Sequence, residues 1–101
     1  MNSSNPNNPI IINYEPVRAK IELMIRNKIV AEKLVHTGKL LDSIHVIDNR
    51  NGTFDVEGEA YFKFLDEKHR LTKDTLESDT LNTFIEDYIY TQINEQIEIN
   101  L

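Results

Sequence analysis

The sequence predicts a single α+β domain in which a long N-terminal helix and a long C-terminal helix pack against a small antiparallel sheet. Two patterns carry this prediction. Apolar side chains recur at helical spacing near both ends of the 101-residue chain. Between them, residues 53–57 alternate apolar and polar side chains directly after an Asn-Gly pair, which is typical of the return strand of a hairpin. We expect residues 1–13 to form a flexible arm and residues 14–101 to form the domain.

The predicted arm begins with polar, uncharged residues and contains two prolines, so it is expected to be disordered unless a partner orders it. Three consecutive isoleucines, Ile10, Ile11 and Ile12, then follow. Burying each of these side chains would stabilise the protein by roughly 1.5–3 kcal/mol relative to leaving it exposed to water. These residues therefore predict a short strand or an arm that docks on a neighbouring subunit.

The first helix is predicted from Pro16 to Val35, because proline is favoured at the first helical position. Gly38 is expected to supply its left-handed C-cap. The side chains expected to face the core are Val17, Ile21, Met24, Ile25, Ala31 and Val35. A second apolar stripe, rotated away from the first, consists of Leu23, Val30 and Leu34. A helix with two apolar stripes must bury two sides, so the second stripe predicts a contact with another helix or another subunit.

A hairpin is predicted next along the chain. A strand from Leu40 to Ile47 leads into a turn at residues 48–52, which are rich in the Asn and Gly that supply positive φ. Residues 53–57 return, with Phe54 and Val56 facing the core.

A short helix from Ala60 to Lys68 is predicted to follow the hairpin. The side chains expected on its buried face are Tyr61, Phe64 and Leu65. Phe62 is expected to point away from that face. Residues 69–76 are predicted to be a polar connection.

The second long helix is predicted from Ser78 to Asn94, with Ser78 as its N-cap. Its apolar face consists of Leu81, Phe84, Ile85, Tyr88, Ile89 and Ile93, while Tyr90 points away. Beyond Asn94, Ile97, Ile99 and Leu101 alternate with polar residues, which predicts a short C-terminal strand.

No residue pattern indicates catalytic chemistry. The chain has no cysteine, its three histidines stand at unrelated spacings, and it has neither a phosphate-binding glycine motif nor a Gly-x-Ser-x-Gly motif. Asp55, Glu57 and Glu59 recur on one strand face, which is a geometry that suits a hard cation or an acid–base pair. A solvated outer face is the better interpretation, so we expect no enzyme, no metal and no cofactor.

The charge distribution is uneven. A net charge of −6 argues against general nucleic-acid binding, and no apolar run approaches the roughly 20 residues that cross a bilayer. Cations outnumber acids in the first helix, whereas the last helix carries acids only. Arg18 and Arg26 are expected to project away from the core, as are Glu86 and Asp87. Either the two charged patches meet across a contact between subunits, or they face each other within one subunit or face water.

Two short motifs flank the predicted hairpin. The first, Thr-Gly-x-Leu-x-x-Ser-Ile, is present as Thr37, Gly38, Leu40, Ser43 and Ile44. The second, Tyr-Ala-x-x-(Val/Leu)-Glu-x-Gly, is matched in part by Tyr61, Leu65 and Asp66, with Ala60 ahead of the tyrosine and Lys68 in place of the last glycine. The order and length of the elements over residues 16–95, together with these motifs, resemble the small tail-completion or head–tail joining proteins of tailed bacteriophages. The proline-rich loop usual in that family is absent.

The resemblance implies a structural protein of the virion neck, assembled in the host cytoplasm, that joins the portal side of the head to the tail. Its partners would be copies of itself in a hexameric or dodecameric ring, and portal, adaptor or tail proteins, with no specific nucleic acid and no membrane. A small acidic inhibitor or adaptor that binds a host enzyme is the alternative, and an enzyme of another type is a third. A ring-forming protein would form large assemblies, whereas an inhibitor would stay small.

Overall fold

The computed structural model describes residues 11–34 and 37–99. Its elements, in chain order, are α1 (Glu15–Ala31), α2 (Gly38–Asp42), β1 (His45–Asp48), β2 (Phe54–Glu57), α3 (Ala60–His69), α4 (Leu71–Leu76) and α5 (Asp79–Ile99). The two strands form an antiparallel hairpin, and α1 packs against β1, α4 and α5. The predicted α+β class, with its long first and last helices, is confirmed.

The core is organised around one face of α1. Residues four apart share a helix face, and the fully buried members of that face are Val17, Ile21, Ile25 and Ile29. The predicted apolar face was correct over most of its length and wrong at its end. Met24 is half-buried and packs against the core as predicted. Ala31 is exposed, and Ile29 takes the core position at this end of the helix instead. Val35 lies outside the described residues.

Helix α1 ends earlier than predicted. Lys33 takes a left-handed conformation with a φ of 55° and its N–H donates to the Val30 carbonyl at 3.1 Å, while the Leu34 N–H donates to the Ile29 carbonyl at 3.2 Å. These two bonds form a Schellman motif, which stops a helix by satisfying its last carbonyls. The predicted C-cap at Gly38 is therefore wrong, and Gly38 begins α2 instead.

The first half of the predicted strand from Leu40 to Ile47 is a turn of helix. The Thr37 hydroxyl accepts the Leu40 N–H at 3.1 Å, which is the N-cap interaction that favours helix over strand. Leu40 and Ile44 are both buried, and their spacing of four suits a helix rather than an alternating strand. Only the part from His45 onward forms β1.

The hairpin agrees with the prediction. Val46 pairs with Val56, and Phe54 and Val56 are the half-buried positions of a strand whose other residues are exposed. The turn contains two residues with positive φ, Arg50 at 62° and Gly52 at 88°.

Helix α3 begins at the predicted residue and ends one residue later than predicted, but it buries a different face. Phe62 and Leu65 are buried, whereas Tyr61 and Phe64 are exposed, so the predicted orientation of the three aromatic side chains is wrong. Gly58 explains the difference, because a Cβ at that position would lie 2.7 Å from the Phe62 ring. The missing side chain leaves the space that lets Phe62 enter the core.

The predicted polar connection is helix α4. Leu71 is fully buried and Thr75 is buried, four residues apart and on the side that faces α1. Arg70, with a φ of 54°, separates α3 from α4. The Asp66 carboxylate then joins the two helices, since it accepts the Thr72 N–H at 2.7 Å and the Thr72 hydroxyl at 2.8 Å.

Helix α5 begins as predicted and ends later. The Ser78 hydroxyl accepts the Leu81 N–H at 3.2 Å, which confirms the N-cap. The helix continues beyond Asn94 to Ile99, so the predicted C-terminal strand is wrong at Ile97 and Ile99, and Leu101 lies outside the described residues. No glycine or proline follows Asn94, and nothing in this segment therefore interrupts the helix.

The molecule is elongated, with extents of 55 × 21 × 20 Å and a radius of gyration of 17.0 Å. A compact domain of this size would have a radius of gyration of about 13 Å. Within the described residues, the last apolar side chain of α5 that packs on the core is Tyr88. The helix continues beyond this residue to Ile99, and Ile89 and Ile93 in that part are half-buried.

Candidate assembly surfaces

The solvent face of α1 carries an exposed apolar stripe. Leu23 is 50% exposed and Val30 is 49% exposed, with the exposed polar residue Asn27 between them. The prediction that this stripe is rotated away from the core is correct for these residues. Leu34, its third predicted member, is half-buried and packs against the core.

Helix α3 presents a pair of exposed aromatic side chains. The rings of Tyr61 and Phe64 stack with centroids 6.0 Å apart, and the Lys68 ammonium lies 5.8 Å from the centroid of the Phe64 ring. Both aromatic side chains are exposed. Exposed aromatic side chains are common anchors of protein contacts, and the sequence pattern had placed these two in the core.

Helix α5 presents a third apolar surface with acidic residues nearby. Tyr90, which is 70% exposed, and Ile97 lie seven residues apart and therefore share a face. Glu86 and Asp87 are exposed as predicted. Among the described residues, neither carboxylate has a cation within ion-pair distance.

The arm lies along the distal half of α5. The Ile11 N–H donates to the Gln96 side-chain oxygen at 3.1 Å, and the Gln96 amide nitrogen donates to the Ile11 carbonyl at 2.6 Å. The Tyr88 hydroxyl donates to the Asn13 carbonyl. Ile11 is exposed and Ile12 is half-buried, and Ile10 lies outside the described residues. The sequence predicted a docking arm but did not identify Gln96 or Tyr88 as its contacts.

A groove of about 930 Å³ lies between the arm, the hairpin and α5. The apolar residues that line it include Ile12, Tyr14, Ile47, Phe54, Ile85 and Ile89. The groove is open, because the arm covers one edge of it without filling it.

The two arginines predicted to face a neighbour instead bond to groups of their own chain. Arg18 pairs with Glu22 and with Glu15 on the same helix and donates to the Val46 carbonyl at 3.2 Å. Its carboxylate partner Glu22 also accepts the Val46 N–H at 3.0 Å. The expectation that the core does not need Arg18 is therefore wrong.

Arg26 has an equivalent role and lies beside the second carboxylate oxygen of Glu22, Oε1. It donates to the Leu41 carbonyl at 3.0 Å and to the Ile44 carbonyl at 2.8 Å, and its guanidinium lies 3.4 Å from Glu22. These bonds satisfy carbonyls at the C-terminal end of α2. The signal in the sequence was the spacing of four residues on both sides of Glu22, which puts the three charged side chains on one helix face.

Glu22 is buried yet ionised. Burial alone would raise the pKa of its carboxyl, but the hydrogen bonds from the Val46 N–H and Arg18, with the positive charges of Arg18 and Arg26, outweigh burial and hold the pKa below its ordinary value of 4.5. Each acceptor oxygen already has a partner. We therefore assign this cluster a structural role.

The motif residues also hold elements together. The Ser43 hydroxyl donates to the Leu40 carbonyl at 2.7 Å and accepts the Glu59 N–H at 3.1 Å, which ties α2 to the start of α3. Thr37 caps α2, and the motif residues Leu40, Ile44 and Leu65 are buried. The two motifs thus stabilise the fold, and of their residues Tyr61 alone is a large exposed apolar side chain.

The described part of the chain contains no group of three or more carboxylate or histidine side chains positioned to hold a metal ion. Asp55 and Glu57 are exposed on β2, and Glu59 is half-buried. His45 is exposed, His69 is half-buried, and His36 lies outside the described residues. Within residues 11–34 and 37–99, no helix has the length and apolar character needed to cross a membrane.

No protein-family model, curated protein or solved structure matches this chain. The fold and the surface define a small α+β domain that exposes large apolar side chains on three separate helices.

Proposed function

We propose that this protein is a structural virion subunit that assembles into a homo-oligomeric ring in the neck of a tailed bacteriophage and joins the portal side of the head to the tail. The observation that carries the proposal is the exposure of large apolar side chains on α1, α3 and α5. A ring contact is heterologous, which means that one surface of each subunit meets a different surface of the next. A subunit with several distinct apolar surfaces suits such a contact.

The motifs at Thr37–Ile44 and Tyr61–Asp66 support the assignment to a neck protein. They resemble those of tail-completion proteins, and in this chain Ser43 of the first motif ties α2 to the residue that precedes α3, across the base of the hairpin. Their role in shaping the subunit fits a protein whose function depends on its form. Beyond copies of itself, the proposed partners are portal, adaptor or tail proteins at the two ends of the ring.

The acidic surface of α5 supports contacts with a positively charged neighbour. Glu86 and Asp87 are exposed and are not paired within the described part of the subunit. Arg18 and Arg26 are already committed to Glu22 and to backbone carbonyls, so their reversal to Glu would disturb folding together with any subunit contact. Reversal of Glu86 and Asp87 to Lys is the cleaner test of an electrostatic contribution to assembly.

The particle itself provides the test of this function. Purified virions of the phage that encodes the chain are analysed by quantitative mass spectrometry, before and after separation of heads from tails. We expect the protein in the particle at the copy number of a single six- or twelve-membered ring, and at the head–tail junction by antibody labelling. Its absence from virions, with recovery of a one-to-one complex with a host enzyme, would contradict the proposal and favour the inhibitor alternative.

A further inference from the structure

We propose that α5 carries a docking site for an extended chain and that, in the assembled ring, this site binds the arm of a neighbouring copy. The docking site consists of Tyr88, Gln96 and the groove between α5 and the hairpin, and the arm segment is residues 11–13. This inference rests on the proposed function, because exchange of arms requires a neighbouring copy of the same chain.

The docking site binds main-chain atoms of the arm. Gln96 holds both the N–H and the carbonyl of Ile11, at 3.1 and 2.6 Å, and Tyr88 holds the carbonyl of Asn13. All three arm atoms belong to the backbone. Bonds to main-chain atoms do not depend on the identity of the arm's side chains, and the arm of an identical copy presents the same atoms as the protein's own arm does.

The arm is lightly held on its own subunit. The Ile11 side chain is 74% exposed, and the hydrogen bonds from Gln96 and Tyr88 are exposed to competing water. Packing against the core begins at Tyr14, so residues 11–13 can leave α5 without opening the core. The groove of about 930 Å³ beside the arm also remains unfilled.

The distal half of α5 needs a partner more than the rest of the subunit does. Beyond Tyr88, none of the described apolar side chains of α5 packs on the core. Ile89 and Ile93 are half-buried and Ile97 is exposed. A helical segment without packing contributes little to stability by itself. Exchange of an identical segment between copies keeps the same hydrogen bonds and links the subunits, which makes it a low-cost route to assembly.

The absence of cysteine from the chain allows a cross-linking test that separates exchanged arms from unexchanged ones. Two single variants, Ile11→Cys and Gln92→Cys, are mixed before assembly and treated with a short bismaleimide. Gln92 lies one helical turn before Gln96, and helical side chains lean toward the N-terminus, so the arm passes close to it. The matched control replaces Gln92→Cys with Thr91→Cys, which is exposed on a different face of the same helix.

We expect the assembled mixture to give covalent pairs of one Ile11→Cys chain and one Gln92→Cys chain, in at least several-fold excess over the Thr91→Cys control. The substitution Gln96→Met in the same chain as Gln92→Cys should reduce this product, whereas Glu95→Gln should leave it unchanged. Light scattering of each mixture reports whether assembly took place.

The outcomes distinguish failure of this inference from failure of the proposed function. A double variant that carries both Ile11→Cys and Gln92→Cys reports cross-links within one chain. If the assembled oligomers give cross-links only in this variant, and only within single chains, arm exchange is overturned and the ring proposal stands. Oligomers with no cross-link at all would also overturn it, because the arm would then lie on another surface. Protein that remains monomeric at every concentration would overturn both proposals.

Discussion

The carboxylate of Glu22 accepts the backbone N–H of Val46 at 3.0 Å, which joins the middle of α1 to β1. Arg18 and Arg26 flank the same carboxylate on α1 and donate to carbonyls of the segment that leads into and forms β1. A two-stranded hairpin is marginally stable without packing against other elements. The Glu22 cluster therefore adds polar bonds to the apolar contacts that hold the hairpin on α1.

Replacement of Glu22 should make stability less dependent on pH. The pKa of Glu22 is below its ordinary value in the folded state, so its ionised form stabilises the fold above about pH 4.5, and this contribution is lost as the pH falls through the depressed pKa. We expect Glu22→Gln to lower the free energy of unfolding by about 1–3 kcal/mol at pH 7, with a smaller difference near pH 3. Urea denaturation followed by circular dichroism measures both values.

The matched control for Glu22 is Glu32→Gln. Glu32 pairs with Lys28 at the surface, and such pairs contribute only about 0.2–1 kcal/mol. A difference between wild type and Glu22→Gln that stays constant from pH 7 to pH 3 would contradict the assigned role of the carboxylate.

The substitution Gly58→Ala should destabilise the protein by about 1–3 kcal/mol through overpacking. The new Cβ would lie 2.7 Å from the Phe62 ring and 2.9 Å from the Phe62 Cβ, which cannot move away because Phe62 is buried. Gly38→Ala is the control, since a Cβ there has no neighbour within 4 Å and alanine favours helix. Thermal melts in which both variants behave alike would show that Phe62 does not pack as described.

The substitution Lys33→Gly should stabilise the protein by up to about 1 kcal/mol. Lys33 has a φ of 55°, a left-handed conformation that costs a residue with a side chain roughly 1–2 kcal/mol and glycine little, although glycine loses more entropy on folding. Glu32→Gly, one residue earlier at a φ of −84°, should instead destabilise. Chemical denaturation measures the free energy of unfolding of both variants. A lower value for Lys33→Gly than for the wild type would contradict the assigned helix end.

Truncation of Leu81 and truncation of Tyr90 should affect stability very differently, although both residues lie on α5. Leu81 is buried, so Leu81→Ala should cost about 2–5 kcal/mol of unfolding free energy. Tyr90 is largely exposed, so Tyr90→Ala should change the stability of the monomer by less than about 0.5 kcal/mol. Calorimetry at a concentration below that of assembly compares the two, and equal losses would show that the orientation of α5 is wrong.

The parts of the fold that the sequence predicted correctly are those in which one local signal has no competitor. Ser78 as N-cap and the alternation at Phe54 and Val56 are of this kind. The prediction of a strand that begins at Leu40 was wrong because the Thr37 hydroxyl caps a helix there. The prediction of the buried face of α3 was wrong because two rotations of the helix would each bury aromatic side chains. The space beside Gly58 favours the rotation that buries Phe62.

The sequence predicted which side chains of the candidate surfaces are exposed. It did not predict the side chains whose roles depend on contacts with distant parts of the chain. The exposed stripe of Leu23 and Val30 follows from helical periodicity alone. The roles of Arg18 and Arg26 depend on carbonyls that are distant in sequence. The contact of Gln96 with Ile11 spans 85 residues, and no local pattern indicates it.

Light scattering coupled to size exclusion tests the central claim, assembly of this chain into a ring, most directly. We expect the wild-type protein to reach a plateau mass that is a whole multiple of 11.8 kDa and matches a closed ring. Leu23→Glu, at the exposed stripe, should shift the protein to the monomer with an unchanged circular dichroism spectrum, whereas the neighbouring exposed control Asn27→Glu should keep the plateau mass. A wild-type mass that stays at 11.8 kDa at every concentration would contradict the claim.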